Sequence, residues 1–207
     1  PEAYAKLFAT FDFPARVLLP EGPLRARRHG ASWLRIQLKG GHLHLNEEQI
    51  IEACDHIAAL TKRIQTEYPT RGKAILTGFS QGGILGFAMA LRHPEAYALI
   101  APVSGWLPPG LVPEGRTEAP KVPIRALHGQ ADHIVRFEPT RTLVERLNAL
   151  GYDVDLKAYP EAKHTISGAM RAELFRLLRK AAGEEEGDVK ASLTSDGAGG
   201  RPTPATP

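Results

Sequence analysis

A serine between two glycines, placed where an apolar run meets a helix of small residues, constrains this sequence most. An apolar run over residues 74–77 leads into Gly78-Phe79-Ser80-Gln81-Gly82, and a helix is predicted over residues 81–92. The pattern fits G-x-S-x-G, the nucleophile elbow, in which a strained turn holds the serine hydroxyl clear of the sheet edge. We expect glycine on both sides of Ser80 because backbones in so tight a turn approach too closely for a Cβ.

The pentapeptide alone leaves two interpretations open, because a serine between glycines also occurs in ordinary turns. The surrounding sequence favours a nucleophile: a strand precedes Ser80, a helix follows it, and an acid and a histidine come later in the order Ser, Asp, His. That order accompanies the elbow motif. The helix would also direct its first N–H groups at the point where negative charge develops during acyl transfer.

The composition is that of an ordinary one-domain protein. The chain has 207 residues, a formal net charge of +3 and one cysteine, Cys54, which excludes an internal disulfide framework. No apolar run approaches the ~20 residues that span a bilayer. Cys54 lies in a helical pattern, which favours a buried structural thiol over a nucleophile. The cluster Arg25, Arg27 and Arg28 has no interleaved aromatic residues, so we expect a solvated loop rather than a nucleic-acid interface.

Apolar periodicity divides most of the chain into helices and short strands. Helices are predicted over residues 1–11, 46–68, 81–92, 141–150 and 166–180, and Asn46 is expected to cap the second one with Gln49 at the capping-box position. Strands are predicted over residues 16–19, 74–77, 97–103, 122–127 and 154–159. Because strands and helices alternate, we predict an α/β fold with a mainly parallel sheet and helices on both faces.

Two segments fall outside this alternation. Residues 21–41 are rich in Gly, Pro and Arg, so we interpret them as a long surface loop, in which Trp33 either pins the loop to the body or lines a pocket. From Gly183 onward, acidic residues and a run rich in Gly, Ser, Thr and Pro replace the apolar pattern. We therefore predict one domain over residues 1–182 and a disordered tail over residues 183–207.

The ends of the predicted strands hold the candidate partners of Ser80, because ligands gather at the carboxyl edge of a parallel sheet. A serine hydroxyl needs a base within hydrogen-bond reach, and that base needs an orienting acid. Only His164 follows the last strand, whereas His128 and His133 follow the strand before it, and His93 is placed to end a helix. His164 can therefore meet Ser80 and still leave an acid upstream.

Asp132 is the only aspartate between Ser80 and Asp153. Asp153 and Asp155 fall near the start of the last strand, at the opposite edge of the sheet, so elimination leaves Asp132 as the orienting acid. The alternative is a turn aspartate that caps the helix after Phe137.

Five blocks of the sequence, in order, resemble the carboxylesterase, lysophospholipase and acyl-protein thioesterase group of α/β-hydrolases. They are Ser32-Trp33, Gly78-Phe79-Ser80-Gln81-Gly82-Gly83, Ser104-Gly105-Trp106-Leu107-Pro108, His128-Gly129-Gln130-Ala131-Asp132-His133-Ile134-Val135 and Tyr159-Pro160-Glu161-Ala162-Lys163-His164. The resemblance covers nearly everything from Phe13 to Arg179. It implies the α/β-hydrolase fold with a sheet that is mainly parallel.

The resemblance also implies roles for individual residues. Ser80 would be the nucleophile, His164 the general base and then acid, and Asp132 the orienting carboxylate, in agreement with the elimination above. The backbone N–H of Gln81 would supply one oxyanion donor. Trp33 and Trp106 would lie near the acyl pocket.

One departure from the family pattern concerns the start of the chain. Family members carry, before the first helix, a strand and a His-Gly-rich loop that supplies the second oxyanion donor, and this sequence begins after that point. We therefore expect a partial sequence whose sheet has a gap between the strand at Val17 and the strand at Ala74. Low activity of the 207 residues alone is expected for the same reason.

The activity implied by the resemblance is hydrolysis of small carboxylic esters through an acyl-serine intermediate, without a metal or cofactor. A lysophospholipase or acyl-protein thioesterase is the alternative, and a non-catalytic or truncated hydrolase-fold protein is a further one. A metal hydrolase built on His42 and His44 is not favoured, because the pair lacks a partner at metal-ligand spacing. We expect a small-molecule ester as partner, no nucleic acid, no stable membrane insertion, a monomer or homodimer, and a cytoplasmic location.

Overall fold

The computed structural model describes residues 2–25, 30–40, 42–116, 118 and 120–183. Their elements in chain order are α1 (Glu2–Phe8), β1 (Leu24–Arg25), β2 (Ala31–Ser32), β3 (Gln37–Lys39), β4 (His42–His44), α2 (Glu47–Glu67), β5 (Ala74–Phe79), α3 (Gln81–Arg92), β6 (Tyr97–Val103), β7 (Ile124–Gly129), α4 (Phe137–Ala149), β8 (Val154–Tyr159) and α5 (Gly168–Ala181). The predicted tail from residue 184 onward, and Arg27 and Arg28 of the basic cluster, lie outside the described residues.

The main sheet consists of four parallel strands in the order β5-β6-β7-β8. Strands that are neighbours in the sheet are also consecutive in the chain, with α3 between β5 and β6 and α4 between β7 and β8. All four strands therefore end at the same edge of the sheet. The predicted α/β class and the parallel sheet are confirmed.

Successive residues of the central strands pack on opposite faces of this sheet. Ile100 and Ile124 belong to an apolar cluster with residues of α2, α3 and α4, whereas Ala101 and Leu127 belong to a cluster with residues of α1 and α5. Side chains alternate between faces along a strand, so the two clusters are two helical layers on either side of the sheet. Burial on both faces explains why β6 is an uninterrupted apolar run.

Asn46 caps helix α2, as predicted. The Oδ1 atom of Asn46 accepts a hydrogen bond from the backbone N–H of Gln49 at 3.0 Å, which satisfies one unpaired donor of the first turn. The prediction that Gln49 completes a capping box is wrong, because its side-chain oxygen accepts from the backbone N–H of Arg35 at 2.9 Å. Gln49 thus ties the start of α2 to the segment that follows β2.

Helix α4 begins at Phe137, four residues before the predicted start at residue 141. Its first turn contains Pro139, which the apolar periodicity does not accommodate. Proline is tolerated there because the N–H groups of a first turn have no intrahelical acceptor. Helix boundaries are therefore less well predicted than helix interiors.

The predicted strand at residues 16–19 is wrong. The segment pairs with no strand among the described residues, and Val17 and Leu18 are 40% and 46% exposed. A strand needs a neighbour whose N–H and C=O groups it can pair with. In the described parts of the chain β5 pairs only with β6, and residues 16–19 pair with no strand. The expected gap beside β5 stays a prediction.

The predicted loop at residues 21–41 is wrong in part. It contains an antiparallel pair formed by β1 and β2, in which Leu24 lies opposite Ser32. It also contains β3, which pairs with β4 and sets Leu38 opposite Leu43. These strands have two or three residues each, too few for an alternating pattern to be recognised among the Gly, Pro and Arg residues.

Candidate active site

Ser80 occupies a strained turn between β5 and α3. Its backbone has φ 56° and ψ −109°, a combination that L-residues rarely adopt, and its N–H donates to the carbonyl of Val103 at 2.9 Å. A Cβ on Gly78 would lie 2.5 Å from the backbone of Gly82. The turn therefore requires glycine at position 78, as the motif suggests.

The second position that excludes a Cβ is Gly83, not the motif residue Gly82. A Cβ on Gly82 would meet no atom within 4 Å, whereas one on Gly83 would lie 2.5 Å from the carbonyl oxygen of Val103. A Cβ on Gly105 would be as close to Gly83, at 2.3 Å from its carbonyl carbon. Helix α3 thus approaches the end of β6 through direct backbone contact, and this contact sets the position of its N-terminus.

Three side chains from three strand ends meet at Ser80. The Nε2 atom of His164 lies 3.0 Å from the Ser80 Oγ, and its Nδ1 lies 2.7 Å from the Oδ2 of Asp132. Ser80 follows β5, Asp132 follows β7 and His164 follows β8. In this arrangement the imidazole can accept the serine proton at one nitrogen while it donates to the carboxylate at the other.

The carboxylate of Asp132 is almost fully buried, at 3% residue exposure, and its hydrogen-bond partners are backbone and imidazole groups. Its Oδ1 accepts from the N–H groups of Ile134 and Val135, each at 2.9 Å. These bonds compensate for the loss of water around the carboxylate. The N-cap residue of α4 is Arg136, so the alternative that Asp132 caps this helix is wrong. Asp132 instead stabilises the loop in which it lies.

The loop that carries His164 is held against the end of β7. The carbonyl oxygen of Ala162 accepts from the N–H of Ala131 at 3.1 Å, and a Cβ on Gly129 would lie 2.1 Å from that oxygen. Phe79, to which the sequence analysis gives no role, packs its ring against the imidazole of His164. The one sequence feature that could have pointed to Phe79 is its position immediately before the serine of the elbow.

The other histidines that follow Ser80 in the chain lie elsewhere or have other partners. His93 ends α3 as expected, and its Nε2 lies 2.8 Å from the Oδ1 of Asp55. His128 is fully buried with Nε2 2.9 Å from the carbonyl oxygen of Val135, and burial lowers its pKa. His133 is exposed. His164 is thus the histidine that the fold brings to Ser80.

Gln81, Trp33 and Trp106 surround the elbow. The backbone N–H of Gln81 is the first in α3, so it has no intrahelical acceptor and is available to an oxyanion. The N–H of Trp33 donates to the Gln81 side-chain oxygen at 2.7 Å. Both tryptophans are half-buried and pack against the cluster that contains α2 and α3. Their role in an acyl pocket stays a prediction.

Other candidate sites are unlike reactive centres. Cys54 is fully buried, and burial raises the pKa of its thiol to about 12. Within the described ranges, no group of three or more His, Cys, Asp or Glu residues is placed to hold a metal ion. His44 lines a cleft with Arg35 and Asn46.

A membrane-spanning helix, which would have to be both long and apolar, is not found among the residues with described positions.

The chain is similar in sequence to several named plant and fungal proteins. It is 31% identical over 125 residues to carboxylesterase SOBER1 of Arabidopsis thaliana, which covers 59% of this chain and 55% of that protein. It is 32% identical over 166 residues to a probable carboxylesterase of Oryza sativa subsp. japonica, with coverage of 76% and 60%. The match to acyl-protein thioesterase 1 of Gibberella zeae is 31% over 115 residues, with coverage of 52% and 48%. The chain thus spans about half to three-fifths of these relatives.

Solved structures show the same fold. The crystal structure of Arabidopsis thaliana SOBER1 superposes with a TM-score of 0.72 at 26% identity, covering 87% of this chain and 92% of that one. Acyl-protein thioesterase 2 of Zea mays superposes with a TM-score of 0.67 at 20% identity, covering 88% of each chain, which supports the fold alone. The predicted α/β-hydrolase fold is confirmed. The sequence model of the phospholipase/carboxylesterase family matches residues 20–181, and the chain belongs to that family.

Proposed function

We propose that this chain is a serine carboxylesterase that hydrolyses small carboxylic esters through an acyl-serine intermediate. The hydrogen-bonded series from Ser80 Oγ to His164 Nε2 and from His164 Nδ1 to Asp132 Oδ2 is the observation that carries the proposal. Such a series is the arrangement that activates a hydroxyl at neutral pH. Family membership supports the same class of reaction.

In the acylation half-reaction, the Ser80 oxygen attacks the ester carbonyl as its proton passes to the Nε2 of His164. The carbonyl oxygen becomes an oxyanion, which accepts a hydrogen bond from the backbone N–H of Gln81 at the positive end of α3. Collapse of this tetrahedral species breaks the bond to the alcohol oxygen. The alcohol leaves with the proton that His164 returns, and the acyl group stays on Ser80.

In the deacylation half-reaction, water takes the place of the serine hydroxyl. His164 accepts a proton from the water as its oxygen attacks the acyl carbon, and a second oxyanion forms at the same N–H of Gln81. Its collapse releases the carboxylic acid and returns the proton to Ser80. Asp132 keeps the imidazole in the tautomer and orientation that both halves need. No metal or cofactor takes part in either half.

Active-site labelling with a fluorophosphonate tests the proposal. The probe forms a covalent bond only with an activated serine, so we expect one label per chain, located at Ser80 by mass spectrometry. Ser80→Ala should take up none, and His164→Ala should be labelled far more slowly. A folded chain that is not labelled, or that is labelled at another residue, would refute the assignment of Ser80.

Acyl-chain length separates the proposed activity from the lysophospholipase and thioesterase alternative, which the similarity to an acyl-protein thioesterase favours. Rates should be compared for p-nitrophenyl esters from acetate to dodecanoate. A maximum at or below about eight carbons supports a small-ester esterase, and a continued rise beyond that supports the alternative. A probable inactive carboxylesterase of rice, 28% identical over 123 residues, makes a non-catalytic chain the third outcome, and absent labelling would identify it.

A further inference from the structure

The side chain of Gln81 connects the serine turn to the segment that carries Trp33. Its Oε1 accepts from the backbone N–H of Trp33 at 2.7 Å, and its Nε2 donates to the carbonyl of Leu34 at 3.1 Å and to the Ser32 hydroxyl at 3.0 Å. An N–H can only donate and a carbonyl can only accept, so these two backbone groups fix which end of the amide is which. The oxygen of the Gln81 amide thus accepts from this segment, and the nitrogen of the same amide donates to it.

The backbone of Gly22 also packs closely against this segment. A Cβ on Gly22 would lie 2.2 Å from the carbonyl carbon of Ser32 and 2.4 Å from the nitrogen of Trp33. The segment is therefore in close contact with the Gly22 backbone as well as hydrogen-bonded to the Gln81 amide. The Ser32 hydroxyl also donates to the carbonyl of Leu34 at 2.8 Å, which fixes the turn of the segment itself.

These contacts set the place of the Trp33 backbone in relation to the nucleophile. Gln81 follows Ser80 directly, so its Cα position is set by the elbow. Leu34 is 3% exposed and anchors the segment in the core, whereas Trp33 is half-buried and keeps part of its surface free. Loss of the Gln81 amide would leave the Trp33 N–H without this partner, but would not alter the backbone N–H of Gln81 itself.

We propose that the Gln81 side chain is a positioning residue, which holds Trp33 as a wall for the acyl group beside Ser80. The inference rests on the proposed esterase function and adds a second task to Gln81, whose backbone N–H faces the oxyanion. The two tasks are separable, because a side-chain substitution retains the N–H. The side chain acts on the binding of longer acyl groups, and the N–H acts on the chemical step.

Gln81→Met tests the proposal, since methionine has a similar length and no amide. For this variant we expect kcat/KM for p-nitrophenyl octanoate to fall about 3- to 10-fold more than for p-nitrophenyl acetate, mainly through KM, the size expected from lost hydrogen bonds. Fluorophosphonate labelling of Ser80 should persist. Equal losses for both esters with unchanged KM would overturn the proposal, because they would mean that the substitution acts on the chemical step.

Fluorescence provides a measurement that does not depend on activity. The chain has two tryptophans, so a Trp106→Phe background reports on Trp33 alone. Quenching of Trp33 by acrylamide should increase in Gln81→Met, and unchanged quenching would overturn the proposal. If the wild type hydrolyses neither ester, the esterase function fails, and the fluorescence comparison still decides whether Gln81 holds Trp33.

Two further variants complete the experiment. Gln65→Met is the matched control, because Gln65 lies on α2 in a surface cleft with Asp55 and His93, and it should resemble the wild type in both measurements. Ser32→Ala removes the hydroxyl that accepts a hydrogen bond from the Gln81 amide. It replaces Gln81→Met as the test variant if Gln81→Met does not fold. It should shift KM and quenching in the same direction by a smaller factor, and wild-type behaviour of a folded Ser32→Ala would overturn the proposal.

Discussion

The imidazole of His164 packs against the phenyl ring of Phe79, with ring centroids 4.7 Å apart and ring planes inclined at 36°. Because Ser80 follows Phe79 directly, the turn that presents the hydroxyl also provides an aromatic surface for the imidazole proposed as its base. Asp132 holds the Nδ1 of His164 at 2.7 Å, and Phe79 restrains the plane of the ring. Together these contacts keep the Nε2 directed at Ser80.

Replacement of Phe79 by leucine should therefore reduce turnover more than substrate binding. We expect kcat to fall about 2- to 10-fold with little change in KM, since such ring pairs contribute about 0.5–1.5 kcal/mol. Steady-state kinetics with p-nitrophenyl acetate provide the measurement. Phe13→Leu is the control, because Phe13 packs on Phe11 at 6.0 Å, away from His164. Equal kinetics of the two variants would show that the ring contact does not orient the base.

Asp132→Asn should nearly abolish turnover while the chain remains folded. The Asn side chain retains an oxygen that can accept from Ile134 and Val135, but it no longer stabilises an imidazolium at His164. We expect kcat to fall by roughly 10³–10⁴, as in established Ser-His-Asp triads. Circular dichroism should confirm the fold.

Asp153→Asn provides the matched control for Asp132→Asn, since Asp153 pairs with Arg125 on the surface at 2.9 Å. Its kcat should stay close to the wild-type value. If Asp132→Asn kept kcat within about tenfold of the wild type, Asp132 would only stabilise its own turn, and another group would have to orient His164.

Some features of the site follow from local sequence, and others depend on contacts that no local pattern contains. Ser80 is recognisable because its strand, turn and helix are consecutive. The Gln81 contact with Trp33 joins residues 48 positions apart, through a segment whose strands are too short to show periodicity. The error at residues 16–19 has the same cause, because whether Val17 is in a strand depends on a neighbour elsewhere in the chain.

Elimination identifies His164 and Asp132 as candidates because both follow strands that end at one edge of the sheet. That argument uses topology alone, and it fails for side chains whose role depends on orientation. Gly82 illustrates the limit: the motif includes it, yet the close contact belongs to Gly83. Phe79 is likewise an ordinary apolar residue until the position of His164 is known.

Buried His128 should make the stability of the chain depend on pH. Burial lowers the pKa of its imidazole below the ordinary value of 6.5. The charge of His164 lowers this pKa further, whereas the carboxylate of Asp132, 3.7 Å from the Nε2 of His128, opposes the shift. Below pH 6.5 the unfolded chain binds a proton that the native His128 does not. The free energy of unfolding therefore decreases as the pH falls through this range.

A comparison of the wild type with His128→Gln isolates this contribution. The stability advantage of the wild type should shrink between pH 7.5 and pH 5.5, by up to about 1.4 kcal/mol for each pH unit below 6.5. Urea unfolding at each pH provides the free energies. His133→Gln is the control, and its difference from the wild type should change less because His133 is exposed before and after unfolding. An advantage that grows toward acid pH would contradict a neutral, buried His128.

Substitutions of Gly82 and Gly83 distinguish the glycine that the sequence motif specifies from the glycine that close packing requires. Gly83→Ala should lower the free energy of unfolding by roughly 1–3 kcal/mol, because its Cβ would overlap the Val103 carbonyl oxygen and push α3 away from β6. Turnover should fall as well, since the N-terminus of α3 carries the proposed oxyanion donor. Gly82→Ala has open space for its Cβ and should be neutral or more stable by up to about 1 kcal/mol. Thermal unfolding and ester hydrolysis of the two variants, side by side, measure both effects. Equal destabilisation by both substitutions would mean that the elbow needs the backbone freedom of Gly82 and not merely the close approach at Gly83.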